Sequence, residues 1–160
     1  MLNATGCYLR KDGRTLFICR NKDGDLFKGK YFPPGGHTER GERGIDCILR
    51  EFDEETGLTI LEPKLKVIAT FYNEGRNLGE DKDPEDWQVE IYLAHNFKGT
   101  LSEEHPKARP VWVNDSDIKN LRIYPGDKRI IELLDKEGVF EVLARYSGDD
   151  LIEFKYERVA

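Results

Sequence analysis

Three glutamates at helical spacing, Glu51, Glu54 and Glu55, lie in the run Arg50-Glu51-x-x-Glu54-Glu55-x-Gly57, with Gly36 and Glu42 upstream. Clustered carboxylates of this kind suit a hard divalent cation. Mg²⁺ takes oxygen ligands, keeps several waters and is usually shared between a few carboxylates and phosphate oxygens. Zinc would prefer His and Cys at ligand spacing. A helix over Gly44–Thr56, at 100° per residue, puts Ile45, Ile48, Leu49 and Phe52 on a stripe that can face a core. Glu51, Glu54 and Glu55 then gather on another side within an arc of about 100°, with Arg50 beside them. Gly57 follows as a left-handed C-cap. Like charges at i,i+4, such as Glu51 and Glu55, destabilise a helix by about 0.2–0.5 kcal/mol. A bound cation would turn that repulsion into attraction.

Glu-x-x-Glu-Glu alone is more often a solvated surface than a metal site. The longer pattern Gly36-x5-Glu42-x7-Arg50-Glu51-Phe52-x-Glu54-Glu55-x-Gly57-Leu58 is different. With seven Gly, Arg and Glu positions each matched at about 6% by composition, chance agreement is on the order of one in a million. That rarity decides against a solvated face. These residues match every specified position of the Nudix box, and the chain resembles the Nudix hydrolases. The resemblance implies Mg²⁺-dependent cleavage of nucleoside diphosphates linked to a further group, with Mn²⁺ as a substitute ion. It further implies a mixed β-sheet flanked by helices, and catalysis centred on Glu51, Glu54 and Glu55.

The implied metal set is Glu51, Glu54 and Glu55, with the Gly36 carbonyl joining them. Arg50 is expected to orient a box carboxylate or Glu42 by a charge-assisted pair. The general base is left between a box glutamate and an acid from a later loop, for which Glu103 and Glu104 are candidates; both also read as solvated loop acids. His37 and His105 are not favoured. A cation for the substrate phosphates is expected from Arg20 or Lys22, the alternative being a solvent-exposed turn charge.

Downstream, Val111-Trp112-Val113, Asp117-Ile118 and Tyr124-Pro125-Gly126-Asp127 follow in order. This order resembles the MutT-type subgroup that hydrolyses oxidised purine triphosphates such as 8-oxo-dGTP, in particular its animal-like branch. In that branch an aromatic residue, a proline and two acids form one side of the base pocket. Tyr124 is placed to stack on a base and Asp127 to hydrogen-bond its edge; as alternatives, Tyr124 is core and Asp127 a helix N-cap. Two departures weaken the match. Gly126 stands at the first acid, and Phe32 where that branch carries a base-binding asparagine. A pocket with fewer polar groups should discriminate less. The implied reaction is hydrolysis of an oxidised or ordinary nucleoside triphosphate to monophosphate and pyrophosphate. The rivals are ADP-ribose, diadenosine polyphosphates, the 5′-triphosphate end of RNA, and a non-catalytic nucleotide-binding regulator.

These groups need a scaffold, and 160 residues suffice for one domain with a core, taken here as residues 1–160. Fold class is expected to be an α+β or α/β sandwich. Strands are predicted over Thr5–Arg10 and Thr15–Arg20 around Lys11-Asp12-Gly13-Arg14, over Leu65–Tyr72, Trp87–Phe97 and Arg109–Val113, and in a closing hairpin of Val139–Tyr146 and Leu151–Glu157. Asn21–Lys30 is expected as a polar loop, Pro33-Pro34-Gly35-Gly36 as irregular, and Asn73–Asp86 as a long acidic loop. A second amphipathic helix is predicted over Asp127–Glu137, with Gly138 as its stop.

The net charge of −6 argues against a general nucleic-acid binder, which needs a basic stripe, and leaves only an RNA 5′ end open. No signal peptide or membrane-length apolar run is visible, so no membrane partner is expected. Cys7, Cys19 and Cys47 form no CxxC pair and read as reduced thiols of a cytoplasmic protein; Cys47, one turn before Glu51, reads as packing or chance. The expected partner is a small nucleotide substrate; oligomeric state is left open.

Overall fold

Two glycine-permitted turns set the frame. Asp12 and Gly13 both adopt positive φ, 53° and 74°. This is the two-residue hairpin geometry that matches strand twist. It joins β1 (Leu2–Lys11) to β2 (Arg14–Arg20) in the register Arg10↔Thr15 and Lys11↔Arg14. Gly57 ends α1 (Gly44–Thr56) at φ 77°, its N–H bonding back to the Asp53 carbonyl at 2.8 Å. Both turns fall where the sequence places them.

A computed structural model describes residues 1–21, 23, 27–74, 86–102 and 108–160. In chain order the other elements are β3 (Tyr31–Phe32), β4 (Gly35–His37), β5 (Leu58–Leu61), β6 (Lys64–Glu74), β7 (Trp87–Ala94), β8 (Asn96–Gly99), β9 (Ala108–Asn114), a 3₁₀ turn at Asp115–Asn120, α2 (Pro125–Leu133), β10 (Phe140–Ser147) and β11 (Asp150–Arg158). The main sheet runs β11-β10-β6-β7-β1-β2-β3, with β4 also on β1 and β9 on β2. β1 pairs β7 in parallel, as does β10 with β6, and the other pairs are antiparallel. The fold is the expected mixed sheet flanked by helices.

Strand alternation sends neighbours to opposite layers. From β1, Cys7 and Leu9 pack with Ile48 and Phe52 of α1, while Tyr8 packs with Ile130 and Leu133 of α2. Each helix therefore docks its apolar stripe on its own face of the sheet. Phe52 is fully buried there.

Several boundaries differ from the sequence reading. Gly35–His37 is a strand rather than irregular, paired with β1 through Gly6↔Gly35 and Thr5↔Gly36. The glycines make this possible, since a Cβ on Gly35 would stand 2.0 Å from the Thr5 carbonyl oxygen. Trp87–Phe97 breaks at His95, and Asn96–Gly99 leaves the main sheet to pair with Leu58–Leu61, a strand with no periodic signal of its own. α2 starts at Pro125, where a missing N–H costs nothing, and ends at Leu133 rather than Glu137. Asn73 and Glu74 belong to β6; residues 75–85 lie outside the described residues.

Candidate active site

α1 presents its carboxylates to β4. The Glu51 carboxylate accepts a 2.7 Å hydrogen bond from Arg50 Nη1 and lies against Gly36 so closely that a Cβ there would meet Glu51 Cδ at 2.4 Å. Gly36 is thus a glycine for space, its backbone needing no positive φ. Glu55 is half-buried, and its Oε1 accepts the Gly35 N–H at 3.2 Å. Burial, then the neighbouring charges of Glu51 and Glu54, push its carboxyl up to about 7, against the Gly35 N–H and the Arg20 charge, which pull it down. Glu54 is more exposed, its side chain 58% accessible, and reaches Arg50 Nη1 at 3.4 Å.

Arg50 is the hub. Its guanidinium donates to both oxygens of Glu42, at 2.8 and 2.9 Å, and to the His37 carbonyl at 3.3 Å. One side chain thereby ties α1 to the turn before it and to β4. The Arg50 contact, with the Glu39 N–H, draws Glu42 down to about 2. The expectation that Arg50 pairs with a box carboxylate or Glu42 is met by both at once.

Behind them sits Cys47. Its Sγ lies 3.1 Å from Thr5 Oγ1 and 3.7 Å from the Gly36 carbonyl, so its place is more than packing. That carbonyl, two carboxylates facing β4 and Glu54 are all oxygen donors, the chemistry that Mg²⁺ accepts. Among the described residues, no three carboxylates, His or Cys converge into a ready-made cage. Glu51 and Glu54 lean on Arg50, and Glu55 on Gly35. The donor set fits the ion.

A cavity of about 470 Å³ opens from this point. Gly36 and Glu51 line one end, Arg20 lines it too, and Phe32, Tyr124 and Asp127 line the other. Six residues named from the sequence therefore meet in one space, while Glu54 and Glu55 stand outside its described lining. Phe32, Phe27 and Tyr124 form an aromatic triad with centroids 5.6–6.1 Å apart. Tyr124 is buried yet lines the cavity, so core and pocket are one role here. It also holds the N-cap place of α2, which corrects the reading of Asp127 as a cap: Asp127 is two residues inside the helix, after Pro125 and Gly126.

Sequence reasoning misses Phe27, Phe71, Asn73, Trp87 and Tyr146, all of which line the cavity. Tyr146 had a usable signal, since Phe140, Val142, Ala144 and Tyr146 alternate inward along β10. His37, not favoured as a catalytic group, lies at the cavity with its ring 5.0 Å from that of Trp87. Glu103, Glu104, His105 and Lys22 lie outside the described residues.

The NUDIX domain family model matches residues 2–134. The chain belongs to the Nudix hydrolase family. Members of this family act on phosphoanhydride bonds of nucleoside diphosphate derivatives and generally use divalent ions, commonly Mg²⁺. The chain is 30% identical to the Nudix hydrolase YvcI of Bacillus subtilis over 96% of its own length and 92% of that protein's. An ADP-ribose pyrophosphatase of Methanocaldococcus jannaschii is 35% identical over 52% of this chain and 43% of its own. The crystal structure of a MutT protein from Bacillus halodurans superposes with a TM-score of 0.84, at 23% identity, covering 98% of each chain. The Nudix domain of Shewanella oneidensis NrtR, solved with ADP-ribose, aligns at TM-score 0.64 and 17% identity, covering 84% of this chain and 86% of that one. These structural likenesses concern the Nudix fold. Among the described residues, no helix is long and apolar enough to cross a membrane.

Proposed function

We propose that this Nudix hydrolase is a Mg²⁺-dependent pyrophosphohydrolase of nucleoside triphosphates, oxidised purine nucleotides such as 8-oxo-dGTP included. One observation supports this most. A single cavity has the Glu51 carboxylate and Gly36 at one end and a cluster of aromatic rings at the other, with Arg20 on its wall. A triphosphate suits the first end and a planar base the second.

Glu51, Glu54, Glu55 and the Gly36 carbonyl would hold Mg²⁺, for which Mn²⁺ is a substitute. Bound there, the ion supplies charge neutralisation at phosphate oxygens and a more acidic water. The chain does the rest by positioning and electrostatics, which dominate phosphoanhydride hydrolysis. Arg50 holds α1 and β4 in register through Glu42 and the His37 carbonyl. Arg20 offsets phosphate charge. Proton acceptance from the attacking water falls to a box glutamate or to Glu103 or Glu104. Glu55 is oriented at Oε1 by the Gly35 N–H. Tyr124 and Phe32 stack on the base, and Asp127 addresses its edge. Residues 1–160 act as one domain, since the main sheet takes strands from both ends of the chain. The substrate is a small nucleotide, and the place of action the cytoplasm.

A screen with Mg²⁺ against 8-oxo-dGTP, ordinary nucleoside triphosphates, ADP-ribose, diadenosine polyphosphates and triphosphorylated RNA, with pyrophosphate and phosphate measured separately, tests the reading. Pyrophosphate release from a triphosphate is the expected result. Turnover of ADP-ribose alone would replace it, and nucleotide binding without turnover on every substrate would point to a regulator.

A further inference from the structure

Among the described residues, β11 has β10 on one side and no strand on the other. It runs for nine residues, and a long edge offers a row of backbone groups to another strand. The β10–β11 register slips between Arg145↔Glu153 and Tyr146↔Leu151, so Ile152 is the extra residue of a bulge that breaks the edge there. From Glu153 to Arg158 the ladder is regular. Just beyond it, the Val159 N–H bonds the Val139 carbonyl at 2.8 Å. Counting back by twos, Glu157, Lys155 and Glu153 turn their backbone groups toward β10, and Arg158, Tyr156 and Phe154 turn theirs outward.

The side chains of this open half are exposed from Lys155 to Arg158. Tyr156 is 47% exposed, its ring edge-on to Phe140 with centroids 6.0 Å apart. On the opposite face Glu157 stands across from Glu141 of β10, a like-charge pair that disfavours the ladder. The ion pairs on these strands join Arg145 to Glu74 and Glu153, and Lys155 to Glu153; among the described residues none reaches Glu141 or Glu157.

We propose that β11 pairs antiparallel with β11 of a second copy, about a two-fold axis at Tyr156, so that two main sheets become one. Such an axis, perpendicular to the sheet, keeps each face on its own side, and every register then has a residue at its centre. Centred on Lys155, the register sets Lys155 against itself and Glu153 against Glu157. Centred on Glu157, it sets that carboxylate against itself. Centred on Phe154, it runs Tyr156 into the Ile152 bulge. Centred on Tyr156, it sets Lys155 opposite Glu157 twice and Phe154 opposite Arg158 twice. The outward N–H and C=O groups of Phe154, Tyr156 and Arg158 meet their counterparts there. This register also brings a cation, Lys155 of the second copy, to Glu157 and its repulsion with Glu141. The occupant is a second copy because the charge order of this segment complements itself when read backwards.

Sedimentation equilibrium of the full chain, over about 5–500 µM, tests this in the wild type, K155E, E157K and K155E/E157K. The wild type should form a reversible dimer. Either single reversal places like charges opposite each other twice and should raise the dimer Kd about tenfold or more. The double variant restores opposite signs in exchanged places, and its Kd should return to within about threefold of the wild type. Mild oxidation should link two copies through position 156 in Y156C and leave K155C unlinked, since only the former pair meets on the axis. A wild type that stays monomeric at the highest concentration would overturn the inference and leave the edge to a strand of another protein. A dimer indifferent to both single reversals, a double variant no tighter than the singles, or linkage as ready in K155C as in Y156C would overturn it too. None of these readouts needs nucleotide turnover, so failure of the substrate reading would not move them.

Discussion

Gly35 and Gly36 are neighbours in sequence, yet alanine at each should fail for a different reason. Neither backbone sits at positive φ, so alanine can adopt both conformations. At Gly36 the added methyl would stand 2.4 Å from Glu51 Cδ and 2.5 Å from one of its oxygens. Ordinary contact begins near 3.4 Å, so the carboxylate must retreat by about 1 Å. It can do so by rotating a flexible side chain, and the fold should survive. Displacing a reacting or ligating group by about 1 Å costs on the order of 100-fold in rate. At Gly35 the methyl would stand 2.0 Å from the Thr5 carbonyl oxygen, which belongs to backbone and cannot rotate away. There β4 must lift off β1, an overpacking cost of about 1–3 kcal/mol. For a domain of this size that lowers Tm by roughly 2–12 °C. Steady-state kinetics across a Mg²⁺ titration, paired with thermal unfolding, separate the two. G36A should lose turnover about 100-fold with Tm nearly unchanged, and G35A should lose Tm. Full activity in G36A at ordinary Mg²⁺ concentrations would refute the placement of Glu51 against β4 as part of the working site.

Other expectations follow from the same geometry. Phe52→Ala should destabilise the protein by roughly 3–5 kcal/mol in a denaturant titration, because its ring is fully buried between α1 and the sheet; an unchanged midpoint would contradict the assigned helix face. Glu54→Gln or Glu55→Gln should lower kcat on the order of 100-fold with little change in unfolding, and near-normal turnover at saturating Mg²⁺ would remove the box from catalysis. Glu42 is drawn down to about 2 in the folded state from an ordinary 4.5. Its share of stability is therefore present above about pH 4.5 and fades as pH falls toward 2. Glu42→Gln should flatten that part of the stability–pH curve, and an identical acid limb in the variant would show that Arg50 gives Glu42 no such role. Asp127→Asn should alter the ranking among purine triphosphates more than overall turnover; equal losses on all of them would take Asp127 out of base reading.

The carboxylate end of the site is legible because its determinants are local. The stripe Ile45, Ile48, Leu49, Phe52 fixes which way α1 faces, Gly57 fixes where it stops, and Glu51, Glu54 and Glu55 follow by spacing. The aromatic end is assembled from residues far apart in the chain. Phe27 precedes β3, Phe71 lies on β6, Tyr124 caps α2 and Tyr146 lies on β10. Alternation says that Tyr146 faces inward, but only the pairing of β10 beside β6 says that it meets Phe71. β4 is misread for a related cause. Pro-Pro-Gly-Gly is turn-like by local chemistry, and what makes Gly35–His37 a strand is a partner some thirty residues upstream. Gly126 shows the reverse lesson: an apparent gap in a motif is filled by a hydroxyl from another strand.

The two parallel pairings also carry a consequence in time. β1 must wait for β7, and β6 for β10, so the middle of the sheet closes only over long chain separations. Such pairings are slow, because the chain between them must be ordered before any contact compensates. Residues 1–57 already contain β1, β2, β4 and the whole carboxylate helix, whereas the aromatic end of the cavity is completed only with Tyr146. On a ribosome, the carboxylate end of the cavity is therefore made well before its aromatic end.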